Sequence, residues 1–523
     1  MFFIREHWKS ISHKPFTTYS FFTHIQQVPF TTQNLRANIY ITYLTTNHMK
    51  RIFILLLIIT VGCISQQPPY FDKYEPEDTA LSVNQGDTIE FSCKASDPDT
   101  EELTYAWYIN GEQVSDTYWY DFEMAAGDYT VLIEVSDSKT TITHQWDVTV
   151  TGSPDFAKIQ TRLERIRGLE FLEPVNRIEI SRDQLRENLM AELDEDLTEI
   201  HTEKSIYVAL HIMDTDDDLY QIYADMLTAH VASYYDIDGH IFYEVVDPDA
   251  PIVYREFVAA HELVHALQDQ HHYLDREFKN DDEYLAHLCL VEGDAMFHQY
   301  KYLDEMTLSE KRTLFNYVSN LDIPVINAFL ENVIMLRYDL GLEFVNQATL
   351  YGEVEGLLDH LYERPPVSTE QVMHLEKYMV NEQPVSVDVP SVSGWEERAE
   401  NVLGEALIMT ILGEHIDSEK AAEAAAGWGG DAYKYYEKKD SYLFILNTFW
   451  DTEKDAAEFF EAYYDFTATW SGNNVKKVRD NIYETPTGFL ALVQKGKQVI
   501  VMESPSLEAV TTALSAMRIF CVI

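Results

Sequence analysis

His261-Glu262-Leu263-Val264-His265 sets two imidazoles four residues apart, with a carboxylate beside the first. A helix repeats every ~3.6 residues, so both rings project from one face. Two such rings can share a divalent metal, zinc above all, and the adjacent Glu262 can take a proton from a metal-bound water. The flanks suit a buried helix. Ile252 to Gln270 carries Phe257, Val258, Leu263, Val264 and Leu267 at helical spacing and contains no Gly or Pro.

A catalytic zinc needs a third protein ligand and an open position for water. The chain offers two candidates. His271 follows His265 by six residues, the interval of the third histidine in metzincins, where a glycine midway turns the chain back. Here Gln268 holds that place and the helix reads as uninterrupted, leaving His271 ~240° round the axis by its summed rotation. Glu292 is better placed. It lies in a second helical stretch, Glu283 to Leu303, which a hairpin would bring against the histidines. A lone carboxylate among Leu, Val, Ala and Met asks for a cation, and Gly293 is expected where two backbones approach closely.

His261, His265 and Glu292 together resemble the metal set of the gluzincins, the zinc peptidases that include thermolysin. The phrases AAHELVHALQDQHHYL, LVEGDAMF, PPVSTEQVMHLEKY and GWGGDAYKYY are similar to a prokaryotic group of zincin-like proteins. The resemblance implies a zincin-like fold, bound Zn2+ and hydrolysis of a peptide or protein substrate with Glu262 as general base. It also implies an edge strand above the motif helix, for which Ile241 to Val245 is the candidate. A later His or Tyr should steady the oxyanion, and His374 and Tyr378 are nominated. Gluzincins carry an acidic residue soon after the ligand glutamate. Asp294, two residues on and ~200° round the helix, does not match that pattern. Asp269, His271 and His272 are further candidates for supporting the ligands.

The front of the chain speaks to location. Residues 1–48 contain one acidic residue, Glu6, against 88 in the whole chain, and read as a mis-assigned extension. Residues 49–62 combine Lys50 and Arg51 with a short apolar core, as a signal peptide does, and Thr60-Val61-Gly62-Cys63 resembles a lipobox. The expectation is a secreted prokaryotic protein held at the outer face of the cytoplasmic membrane through lipidated Cys63 or an uncleaved signal anchor. Cys93, Cys289 and Cys521 make no disulfide framework.

A net charge of −50 over 523 residues excludes nucleic acid as a partner and argues against an electrostatic grip on anionic lipid. The fold class expected is multidomain. Residues 67–151 alternate apolar and polar residues between turns such as Asn110-Gly111 and resemble a PKD or immunoglobulin-like β-sandwich with Trp107 in its core. Asp97 and Asp99 read as a turn, with calcium as the alternative. Residues 155–400 form the mostly α zincin-like domain, with helices at 182–193, 219–233, 308–321, 328–339 and 342–362. Residues 401–523 form an α+β subdomain. The function expected is a surface zinc metallopeptidase. The alternative is a non-catalytic binding or adhesion lipoprotein that works through its PKD-like module on a zincin scaffold.

Overall fold

The computed structural model describes residues 67–520, apart from 85–88, 101, 123, 125–126, 248–249, 273 and 352–356. The expected extension, signal segment, Cys63 and Cys521 lie outside the described residues. The protein is multidomain, with a β-sandwich region and a largely helical region. Its two compact units are the stretch through Ser153 with Pro251–Val253, and Pro154–Ala250 with Tyr254–Ile523.

The first unit holds β1 (Tyr70–Glu75), β2 (Ala80–Asn84), β3 (Ile89–Ser96), β4 (Thr104–Ile109), β5 (Glu112–Ser115), β6 (Trp119–Phe122), β7 (Gly127–Ser136) and β8 (Thr141–Thr151). They form sheets of order β1-β3-β6 and β2-β8-β7-β4-β5. Val131, Ile133 and Val135 alternate inward along β7, meeting Phe91, Trp107 and Trp146. Trp107 stacks on Trp146 with ring centres 5.8 Å apart. Asn110 and Gly111 both take positive φ, 49° and 84°, as a tight hairpin requires. The Asp97 carboxylate accepts the Asp99 and Thr100 amides at 2.6 and 2.9 Å, so it shapes a turn.

The second unit begins with α1 (Phe156–Arg167), α2 (Arg182–Glu195), α3 (Leu197–Ala209) and α4 (Leu219–His230). A small sheet of order β10-β11-β9 joins β9 (Asn176–Ile180), β10 (Ser233–Asp236) and β11 (Ile241–Val245). Strand β9 escaped the sequence reading because NRIEI mixes charges with its apolar residues. It pairs parallel to β11, while β10 pairs antiparallel on the other side. Ile241 to Val245 is therefore the central strand, with both edges occupied. That overturns its expected role as the substrate-facing edge, and β10 holds an outer position instead.

The motif helix α5 (Ile252–His271) follows, then α6 (Asp281–Asp304), α7 (Leu308–Ser319) and α8 (Ala328–Tyr351). Asn280 caps α6 by accepting the Glu283 amide at 2.8 Å, and Asp281, Asp282 and Glu283 occupy the positive end of that helix. Glu244 on β11 accepts from Arg177 of β9 and from Arg255 of α5, both at 2.7 Å. This triad, with Glu244 buried and both arginines partly exposed, fastens the start of the motif helix to the sheet. Helix α8 runs unbroken through Gly341, where the sequence suggested two helices with a gap. Burial against α6 outweighs the low helix propensity of one glycine.

Three short helices, α9 (Leu357–Glu363), α10 (Thr369–Met373) and α11 (Leu375–Met379), lead to α12 (Gly404–Gly413) and α13 (Ser418–Ala425). A seven-stranded antiparallel sheet closes the chain, in the order β12 (Glu396–Asn401), β13 (Trp428–Lys438), β14 (Ser441–Trp450), β18 (Gln498–Ser504), β17 (Gly488–Lys495), β16 (Ile482–Thr485) and β15 (Lys476–Arg479). Side-chain alternation gives the sheet two apolar faces. Phe444 and Leu446 share a core with Phe459 and Phe466 of α14 (Glu453–Trp470). Leu443 and Ile445 share another with Val510 and Leu514 of α15 (Leu507–Phe520). The first of these cores also contains Leu227, Met296 and Leu342, so this sheet and the helices before it form one body.

Candidate metal centre

Three side chains that could hold a metal meet where α5 faces α6. His261 Nε2 lies 3.2 Å, and His265 Nε2 3.4 Å, from the same oxygen of Glu292, Oε2. All three residues are buried, and their ligand atoms fall within 4.8 Å of one another. His271, the alternative third ligand, points elsewhere, with Nε2 2.8 Å from the Glu170 carbonyl.

The depth of Glu292 is set by a helix crossing. A Cβ added to Gly293 would stand 2.2 Å from the Gly341 carbonyl oxygen, and one on Gly341 would stand 2.1 Å from the Cys289 carbonyl oxygen. The close approach expected at Gly293 exists, but its partner is α8 and not the motif helix. Tyr338, one turn before Gly341, places its hydroxyl 3.4 Å from Glu292 Oε1. Cys289 is buried in the same helix pairing, its thiol 3.7 Å from the Leu336 carbonyl oxygen, as a core residue.

Electrostatics set the two glutamates apart. Burial disfavours charge on Glu292, but the two imidazoles outweigh it and hold the carboxyl well below its usual range. Burial likewise works against charge on His265, yet Glu292 raises that imidazole to about 9. Burial pushes Glu262 well above the carboxylate range, opposed in part by the nearby His265 imidazole. Neither oxygen of Glu262 has a hydrogen-bond partner, nor has Nδ1 of His261. Such unpaired groups at the heart of a fold mark a place built for something else.

The donor set fits a four-coordinate zinc. Ligand bonds of ~2.0–2.2 Å at tetrahedral angles separate ligand atoms by about 3.3–3.6 Å, close to the two spacings onto Glu292 Oε2. A cation there would also favour the charged form of Glu262. A second acidic group, Glu370, Glu382 and Asp451, is different in kind. The Lys377 ammonium already lies among all three, 2.6 Å from Asp451 and 3.2 Å from Glu382.

His374 and Tyr378, nominated for the oxyanion, are engaged apart from the ligands. His374 Nε2 meets Glu405 at 2.8 Å, and the buried Tyr378 donates its hydroxyl to the Arg364 carbonyl at 2.8 Å. Asp269 accepts from the Tyr235 hydroxyl at 2.7 Å and meets His240 Nδ1 at 2.6 Å, tying β10 to the motif helix. His272 stacks on Tyr362 with ring centres 4.0 Å apart.

The sequence reading missed Gln268, whose Oε1 lies 2.8 Å from His265 Nδ1. Its spacing, three residues after the ligand on one helix, was the available signal. Asp294 reaches His265 only through Gln268, accepting from its Nε2 at 3.1 Å. Arg167, Tyr338 and Tyr362 come from remote segments, and nothing local announced them.

Residues 389–514 match a family described as a domain of unknown function (DUF8575), which takes in the seven-stranded sheet but not the metal-centre residues. No protein with a curated description matches the chain. Among solved structures, a human titin immunoglobulin domain, ZIg10, is 17% identical over 20% of this chain and 92% of its own, at a TM-score of 0.14. Fibronectin(III)-like modules of Clostridium thermocellum CbhA are 14% identical over 16% of this chain and 46% of theirs, at 0.14. A quinonprotein alcohol dehydrogenase-like protein from Bacteroides thetaiotaomicron is 15% identical over 16% of this chain, at 0.15. The match spans only 20% of that last protein's length.

Proposed function

We propose that the protein is a zinc-dependent metallopeptidase of gluzincin type, with a zincin-like arrangement around α5 and α6. The observation that carries this reading is the convergence of His261 and His265 on one oxygen of Glu292, with the unpaired carboxylate of Glu262 adjoining. A non-catalytic scaffold has no use for a buried carboxylate without partners, which must be desolvated at a cost.

A bound zinc supplies an acidified water and polarises a carbonyl oxygen. The chain supplies the rest. His261, His265 and Glu292 fix the metal position, and Tyr338 holds the far oxygen of Glu292. Glu262 accepts the water's proton on a carboxylate oxygen and delivers it to the leaving amine nitrogen. Strand β10, whose Tyr235 hydroxyl bonds Asp269 of the motif helix, is the edge along which an extended peptide would lie. The signal-like N-terminal sequence supports a reading in which this activity lies outside the cell, anchored at the membrane face.

The test is metal analysis and peptide cleavage on purified protein, beside Glu262→Gln. One zinc per chain, with cleavage lost in the variant, supports the proposal. Protein that binds no zinc refutes it.

A further inference from the structure

The orientation of one buried amide decides how His265 can bind a metal. Gln268 Nε2 lies 2.9 Å from the Val291 carbonyl oxygen and 3.1 Å from Asp294 Oδ2. Both partners can only accept, so this end of the amide must be the NH2. The opposite end, Oε1, therefore faces His265 Nδ1 at 2.8 Å, and an amide oxygen can only accept. Nδ1 must carry the hydrogen. In the neutral ring Nε2 is then a bare lone pair, aimed at the Glu292 oxygen 3.4 Å away. A bare lone pair facing a carboxylate in a buried site calls for a positive charge between them, a proton in the metal-free protein and a metal ion in its place when one binds.

Asp294 has the means to hold this arrangement. It is fully buried and has three further side chains around it, one from its own helix and two from other segments. Tyr362 donates to Oδ2 at 2.8 Å, His298 Nδ1 lies 2.7 Å from Oδ1, and Arg167 Nε lies 3.4 Å from Oδ1. Flipping the Gln268 amide would set its oxygen against both the Asp294 carboxylate and the Val291 carbonyl. The wrong orientation is thus excluded by charge as well as by hydrogen bonding.

We propose that Asp294 and Gln268 form a two-link positioning relay, in which Asp294 fixes the Gln268 amide and Gln268 fixes His265 as the Nδ1–H tautomer with Nε2 free for metal. Neither residue touches the reacting atoms. The relay rests on the metal-site part of the proposed function and stands apart from the identity of the substrate.

The experiment measures zinc affinity by chelator competition on the full chain, for wild type, Gln268→Met, Asp294→Asn and the double variant, with melting of each metal-free protein alongside. Outer partners of metal-binding histidines typically tune affinity ~10–100-fold, and a loss in that range is expected for Gln268→Met, with little change in metal-free melting. Asp294→Asn should weaken zinc as well, but add little further loss in the Gln268→Met background, because its effect passes through the amide. The cobalt-substituted Gln268→Met protein should show a shifted visible absorption band. Unchanged zinc affinity in Gln268→Met, or an undiminished Asp294→Asn effect in the double variant, overturns the relay. Zinc binding with the expected sensitivities but no peptide cleavage would support the relay while sinking the peptidase reading. Absence of zinc binding in wild type would sink both.

Discussion

Gly293 and Gly341 meet backbone to backbone, so closely that a methyl group on Gly293 would lie 2.2 Å from the other's carbonyl oxygen. Glu292 precedes that contact by one residue, and its carboxylate reaches the histidines from a helix that cannot shift outward without losing it. Gly341→Ala should therefore destabilise the fold by about 1–3 kcal/mol through overpacking, and weaken zinc as α6 moves. Denaturant midpoints and zinc competition on the same variant would show it. A stable variant with normal zinc affinity would mean that the crossing does not set the ligand's position.

Glu292→Ala should abolish stoichiometric zinc, while His271→Ala should retain it, because Glu292 approaches both motif histidines and His271 meets the Glu170 carbonyl instead. Metal analysis after dialysis distinguishes the two. The reverse pattern would point to the three-histidine arrangement and against the geometry described above.

Glu262→Gln should keep zinc and lose cleavage by ~10²–10⁴-fold, the usual worth of a general base. The amide is nearly the same shape as the carboxylate, so any loss belongs to the proton transfer. Activity within a few-fold of wild type would remove Glu262 from the chemistry.

Stability should fall as pH rises from weakly acid to weakly alkaline. Burial pushes the Asp282 carboxyl from 3.8 up to about 8, while the Thr369 hydroxyl and amide pull the other way. A carboxyl raised in the folded state contributes most below its unfolded pKa, near 4, where both states are protonated. Its contribution is lost as pH climbs through the folded value. Glu370, raised to about 7 by burial, and Asp431, raised to about 6 by burial, act in the same direction. Asp282→Asn keeps an acceptor for Thr369 and removes the ionisation. Its stability relative to wild type should then improve between pH 4 and pH 8, as urea midpoints would reveal. Parallel pH profiles for the two proteins would show that Asp282 does not ionise in this range.

The amino-acid sequence by itself determined the local pieces. Helical spacing put His261, Glu262 and His265 on one buried helix, and a carboxylate amid apolar neighbours singled out Glu292. Alternation revealed β3, β4, β7 and β8 of the sandwich and, in the C-terminal sheet, β14 and the span holding β17 and β18, but not β12, β13, β15 or β16. These signals are legible because they depend on neighbours three, four or two residues away along one chain segment. Long-range choices were not legible. Which strand of the small sheet keeps a free edge depends on β9, fifty-three residues before β10, and its pairing moved that role from β11 to β10. Whether Gly341 breaks a helix or lets another helix approach depends on Gly293, a partner that propensity cannot see. The duties of Tyr378, His374 and Asp294 were decided by hydrogen-bond partners from remote segments. A side chain's type sets what bonds it can make, and only the folded packing sets which of them it does make.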